Sequence, residues 1–153
     1  MDLPRNILCA TDFGPCSKGA LDAALALAKA DGGSVTLVHV FDAPVYPGPP
    51  FMPLNDGGPE VERTARGELA AAVADAKTKL ESVRGVLRRG RAWEEVIAVA
   101  VDMRADLVVL GTHGRQGFPR AILGSVAERV VRLSPVPVLT VPSREAVTHE
   151  GPE

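Results

Sequence analysis

Apolar residues in this chain fall into short continuous runs separated by longer stretches in which they recur every three or four positions, and the two patterns alternate along its length. Residues 6–11 (Asn-Ile-Leu-Cys-Ala-Thr) form the first run and predict a buried strand. Gly14-Pro15 then offers a turn with proline at the first helical position, where a missing amide proton costs nothing. In the helix that follows, Leu21, Ala24, Leu25 and Ala28 share a face, and Gly32-Gly33 ends it. Residues 35–40 return to strand composition. Residues 42–58 are dense in Pro and Gly and predict a surface loop, long enough to serve as a lid. Pro59 opens a second helix with an apolar stripe from Val61 through Ala65, Leu69, Ala72, Val73 and Ala76 to Leu80.

Val86 and Leu87 mark a short third strand ending at Gly90, and Trp93, Val96, Ile97, Ala100 and Val101 give a third helical face. Residues 107–110 (Leu-Val-Val-Leu) are continuously apolar, as in a central strand covered on both sides. Val126, Val130 and Leu133 define a fourth helix, Pro135 stops it, and residues 136–141 form a fifth strand. Pro137, with no amide proton, places that strand at a sheet edge or beside a bulge. Five strands alternating with four helices predict an α/β fold, a single doubly wound, mostly parallel sheet with right-handed crossovers. One domain covers 1–142, and the polar, aperiodic stretch 143–153 is expected to be a frayed tail.

The 153 residues suit one domain, and the composition, 46% hydrophobic but only 4% aromatic, favours an aliphatic α/β core over an aromatic binding surface. A formal net charge of -2 argues against a duplex-binding role. No apolar run reaches the roughly eighteen residues of a membrane span, and the opening Met-Asp-Leu-Pro-Arg is unlike a signal peptide, so a cytoplasmic protein without a membrane partner is expected. Two cysteines, Cys9 and Cys16, are too few for a disulfide framework or a four-ligand zinc site. Cys9 reads as a buried small hydrophobe. Cys16 reads as packing or as a thiol activated near a helix start.

Candidate chemistry gathers after the fourth strand. Gly111-Thr112-His113-Gly114 follows it directly, and Gly124-Ser125 stands where the fourth helix begins. Gly111 and Gly114 permit positive φ and close approach of main-chain amides, which together form an anion nest. The first amides of a helix are unpaired and carry the positive end of its dipole, and Ser125 adds a hydroxyl. Two anion-binding elements a short loop apart suit a di- or triphosphate, with Arg115 and Arg120 between them as added charge. Singly, the glycines read as chain turns and Ser125 as a helix cap. His113 is placed either to approach a phosphate or to shape the loop, and His39 reads as structural. Arg84, Arg88, Arg89 and Arg91 read as a solvated edge, and Trp93 as core.

The joint pattern Gly-x2-Gly-x9-Gly-Ser, together with residues 7–13 (Ile-Leu-Cys-Ala-Thr-Asp-Phe), 37–40, 105–111 and 135–139, resembles the universal stress protein family over residues 5–141. The resemblance implies the sheet order 3-2-1-4-5. It also implies an ATP site in which Asp12 contacts the ribose, the backbone at Val40 reads adenine, and Gly111, Gly114, Gly124 and Ser125 hold phosphates with a Mg or Mn ion bound through them. Asp12 has a second reading, as negative charge at the start of the first helix. Where family members commonly have a small hydroxyl residue two after the aspartate, this chain has Gly14.

The implied function is an ATP-binding regulator of stress responses whose nucleotide occupancy sets partner affinity, with no efficient catalysis and no catalytic residue assigned. The alternative is a slow ATPase or a self-phosphorylating protein using Thr112 or Ser125. A homodimer is expected through the last strand, which would otherwise be an open apolar edge. A dinucleotide oxidoreductase would need Gly-x-Gly-x-x-Gly where Asp12-Phe13-Gly14-Pro15-Cys16-Ser17 stands. A phosphoacceptor receiver would need an aspartate where Arg88-Arg89-Gly90 ends the third strand.

Overall fold

Strand and helix alternate as the periodicity predicts. A computed structural model describes residues 2–42, 58–113 and 123–143, and within them the order is β1 (Asn6–Ala10), α1 (Pro15–Ala30), β2 (Ser34–Phe41), α2 (Gly58–Lys77), β3 (Val83–Arg89), α3 (Ala92–Asp102), β4 (Leu107–Gly111), α4 (Ser125–Leu133) and β5 (Val138–Val141). The predicted loop and tail lie, apart from their end residues, outside the described residues, as do Gly114, Arg115 and Arg120.

All strand pairs are parallel and the sheet order is β3-β2-β1-β4-β5. β1 is the middle strand, and β4, expected at the centre, is interior beside it. Right-handed crossovers explain the layering: α1 and α2 connect strands added in one direction and share a face, whereas α3 and α4 follow the reversal and cover the other. Period-two alternation divides the strands accordingly. Ile7 and Cys9 of β1, Leu37 of β2 and Val109 of β4 pack with α1 and α2 around Ala24, Leu25 and Leu69. Leu8, Val38, Val108 and Leu110 pack with α3 and α4 around Val96, Ala100 and Val130.

Three local differences from the pattern have clear causes. β3 begins at Val83, ahead of the apolar pair Val86-Leu87, because it is an edge strand whose exposed positions carry Arg84, Arg88 and Arg89. Arg84 Nε donates to Thr36 Oγ1 of the neighbouring strand at 2.9 Å, and Arg88 lies 3.9 Å from Asp102. β5 begins at Val138, not 136, because Ser134 folds the preceding residues into a turn: its hydroxyl accepts the Val136 amide at 3.1 Å and donates to the Val136 carbonyl at 2.8 Å. Pro137 still contributes its carbonyl, which accepts from Val108 at 2.9 Å, and β5 is an edge strand as expected. In α4 the buried residues are Ala127 and Val130, while Val126 and Leu133 of the predicted face are exposed. Among the described residues no helix is long and apolar enough to cross a membrane.

Candidate functional site

Strand order reverses between β1 and β4, so the connections leaving their carboxyl ends run to opposite faces of the sheet and open a crevice between them. A cavity of about 320 Å³ occupies that crevice. Of the residues singled out from the sequence, Asp12, Val40, Gly111, Gly124 and Ser125 all line it, as do Thr112 and His113. Val38, Ala92, Val96 and Leu110 make the inner wall apolar. The cavity thus has an aliphatic floor and a polar rim, the usual plan of a small-molecule site.

The β1 side of the rim is an ordered turn. Thr11 N–H continues the ladder to Val38 O at 2.9 Å, and the Thr11 hydroxyl accepts from Phe13 N–H at 3.0 Å. Asp12 Oδ1 accepts from Gly14 N–H at 2.8 Å and from the Ser17 hydroxyl at 2.7 Å. Phe13 sits in the left-handed region at φ 63, and its ring lies against His39 with centroids 4.4 Å apart. His39 Nδ1 is 2.8 Å from the Thr11 carbonyl, so Nδ1 carries the proton, and His39 is structural as read. The local role of Asp12 is therefore real: it caps the turn into α1, for which Gly14 supplies no side chain. Main-chain groups two residues apart on a strand point to the same side. Since Val38 O faces β1, the N–H and C=O of Val40 face the same way, beyond the point where β1 has ended.

Gly111 and Gly124, the described glycines on the β4 side, are required by close packing. Gly111 is not at positive φ; what it provides is room, since a Cβ there would stand 2.7 Å from Cys16 Cβ and 3.0 Å from the Cys16 carbonyl carbon. Its space is filled by the first turn of α1. Gly124, at φ -58, is likewise demanded by a close approach, its would-be Cβ lying 2.9 Å from the Thr112 carbonyl oxygen. Gly124 N–H donates to that oxygen at 2.6 Å, and Thr112 N–H to Val141 O at 3.1 Å. These two amides are spent inside the protein. The amides left without intrahelical acceptors are those of the first turn of α4 from Ser125 on, and Gly124 at the N-cap has no side chain to offer them. They carry the positive end of the α4 dipole into the cavity wall.

Thr112 Oγ1 lies 3.0 Å from His113 Nδ1, while His113 Nε2 is buried without a hydrogen-bond partner. A buried orphan in a cavity wall is a group that a ligand atom would satisfy. Trp93 Nε1 is also buried without a hydrogen-bond partner, but Trp93 does not line the cavity, and Arg129 lies over its ring at 5.5 Å. Cys16 is buried against Gly111, which fits its reading as packing. The residue missed from the sequence is Ser17. Its signal was Pro15 at the helix start, which places position 17 in the first turn, facing back to the loop.

The model of the universal stress protein family matches residues 4–142. A universal stress protein of Thermus aquaticus, from the 3′ region of a QAH/OAS sulfhydrylase gene, is 34% identical over 138 residues, 90% of this chain and 98% of that one. The structure of Universal stress protein MJ0577 of Methanocaldococcus jannaschii superposes with a TM-score of 0.76 at 27% identity, covering 92% of this chain and 97% of the other. A universal stress protein from Archaeoglobus fulgidus, in complex with dAMP, shares the fold with a TM-score of 0.64 at 21% identity, over 92% of this chain and 99% of that one. By the extent of the family match and its agreement with sheet order and cavity, the chain belongs to the universal stress protein family.

Proposed function

We propose that the protein binds ATP in the β1–β4 crevice and acts as a regulator in the response to stress, its nucleotide occupancy setting the conformation that partners recognise. The observation that carries the reading is the cavity itself. It combines an apolar floor for a base, a carboxylate at Asp12 held for ribose hydroxyls, the strand-end backbone of Val40 for adenine, and the first-turn amides of α4 from Ser125 on for phosphate. Gly111 and Gly124 serve by letting α1 and the β4 connection approach closely, while Gly114 and Arg115, outside the described residues, complete the phosphate side in this reading. In this reading a Mg or Mn ion would come bound through the phosphates. That an Archaeoglobus fulgidus universal stress protein of the same fold is found in complex with dAMP supports an adenine nucleotide as the ligand in this reading. The reading further includes a nucleotide-binding domain at 1–142 with a tail after it, a cytoplasmic protein, and a homodimer through β5.

Calorimetry with ATP and AMP tests the reading. ATP should bind more tightly, because the α4 end addresses phosphate; equal affinities, or no heat with either, would reject it. A second reading, slow self-phosphorylation, is favoured by one observation, the Thr112 hydroxyl 3.0 Å from His113 Nδ1, which accepts its proton in the Nε2–H tautomer. Binding groups that treat ground and transition states alike do not speed the chemical step. ADP release slower than about one turnover per minute is therefore expected, well under the roughly 10 per second of a median enzyme. Mass spectrometry finding stoichiometric phosphate on Thr112 or Ser125 would install the second reading.

A further inference from the structure

Ser17 and Thr36 are the buried polar side chains among the described residues, and Ser17, at 6% exposure, is the one that lines the cavity. Its hydroxyl is committed to Asp12 twice over. It donates to Asp12 Oδ1 at 2.7 Å and accepts the Asp12 amide at 3.0 Å. A serine hydroxyl has one proton to donate, so its single donor is spent on the carboxylate, in a charge-assisted bond. Gly14 N–H reaches the same oxygen, and between Asp12 and Gly14 the chain passes through Phe13 in its left-handed conformation. Gly14 occupies the N-cap of α1 and brings no side chain to it, while the Thr11 hydroxyl accepts from Phe13 N–H earlier in the turn. Ser17, buried in the first turn of α1, is therefore one of the groups that set the place and plane of the Asp12 carboxylate.

We infer that Ser17 is a positioning residue for ligand recognition. By holding Asp12 it prearranges the carboxylate at the mouth of the crevice for the two vicinal hydroxyls of a ribose. The inference rests on the nucleotide-binding reading and deepens it by assigning a group that acts through Asp12. A carboxylate free to rotate would have to be ordered at the moment of binding, and prior ordering removes that cost.

The test compares affinities for ATP and 2′,3′-dideoxy-ATP by calorimetry in the full chain and in Ser17→Ala, Ser17→Cys and Ser17→Thr. The thiol of Ser17→Cys keeps the volume but donates poorly, so it stands in should Ser17→Ala fail to fold; circular dichroism checks each variant. The unmodified protein should prefer ATP by about tenfold or more, the scale of a lost hydrogen bond to a charged group. Ser17→Ala and Ser17→Cys should lose most of that preference while holding dideoxy-ATP within about twofold of the original affinity, and Ser17→Thr should retain the preference. A purely structural role would weaken both nucleotides alike, and that result, or an intact preference without the hydroxyl, overturns the inference. No preference in the unmodified protein overturns it too, while leaving ATP binding in place. Failure of the unmodified protein to bind ATP at all overturns the nucleotide reading and this assignment together.

Discussion

Gly111 closes β4 directly beneath the first turn of α1, and replacing it with alanine tests whether missing volume or backbone freedom is what the position requires. The added Cβ would stand 2.7 Å from Cys16 Cβ, 3.0 Å from the Cys16 carbonyl carbon and 3.1 Å from its oxygen. None of these atoms belongs to a flexible side-chain tip, so no rotamer change relieves the overlap. The helix must move from the sheet, and it carries buried Ala20, Ala24, Leu25 and Ala28 with it. Overpacking costs about 1–3 kcal/mol, and contacts to helix backbone point to the upper half, about 2–3 kcal/mol. For a domain of this size each kcal/mol lowers Tm by roughly 2–4 °C, a fall of about 4–12 °C. Urea titration at fixed protein concentration should show a lower midpoint with an unchanged slope. Cys16→Ala, which keeps the Cβ, should not rescue Gly111→Ala. Cys16→Gly removes the nearest atom and should recover part of the loss in the double variant, appearing as a coupling of at least about 0.5 kcal/mol. A Gly111→Ala protein as stable as the original, or rescue by Cys16→Ala, would refute the reasoning and return Gly111 to a role in backbone freedom.

Cys9 is fully buried and burial pushes its thiol from 9.0 up to about 12, so the folded chain keeps a proton that the unfolded chain releases. Stability should be full below pH 9 and fall as pH rises from 9 toward 12, a slope that Cys9→Ala should flatten in alkaline urea titrations. Leu139 is the exposed residue of the β5 edge, whereas Val138 packs against the core. Leu139→Asp should therefore give a folded monomer by light scattering where the original gives a dimer; a monomeric original protein would reject pairing through β5. Trp93 is the single tryptophan, with Arg129 over its ring. Arg129→Gln should change the native fluorescence spectrum and cost about 0.5–1 kcal/mol by urea titration, the scale of an exposed cation–π contact.

The order of strands and helices was legible in the chain because each element carries its period in its own residues: Leu107-Val108-Val109-Leu110 has the unbroken apolar run of a doubly covered strand, and Pro15 suits the first position of a helix. Where an edge admits charge, as at Arg84, Arg88 and Arg89 of β3, the pattern lost its apolar signal and the strand looked shorter than it is. In α4 the chain offered two stripes, since Val126, Ala127, Val130, Val131 and Leu133 are all apolar. Periodicity cannot choose between stripes; packing did, burying Ala127 and Val130 and leaving Val126, Val131 and Leu133 exposed.

The same division holds at the site. Asp12, Val40, Gly111, Gly124 and Ser125 were identifiable as types in a pattern, and parallel pairing of β1 with β4 brought them around one cavity. Their physical roles were not identifiable, because a glycine spared for a ligand and a glycine spared for a neighbouring helix look the same in one dimension. Only the approach of Cys16 to Gly111 and of Thr112 to Gly124 distinguishes them. Ser17 was placed by Pro15 in the first helical turn, but its role was not readable for a related reason: a hydroxyl has meaning only through its partner, and the turn that returns Ser17 to Asp12 carries Phe13 against His39 of another strand. Local sequence determines which conformations each segment can adopt, whereas distances between segments follow from the joint burial of their apolar faces, and the chemistry of the site depends on those distances.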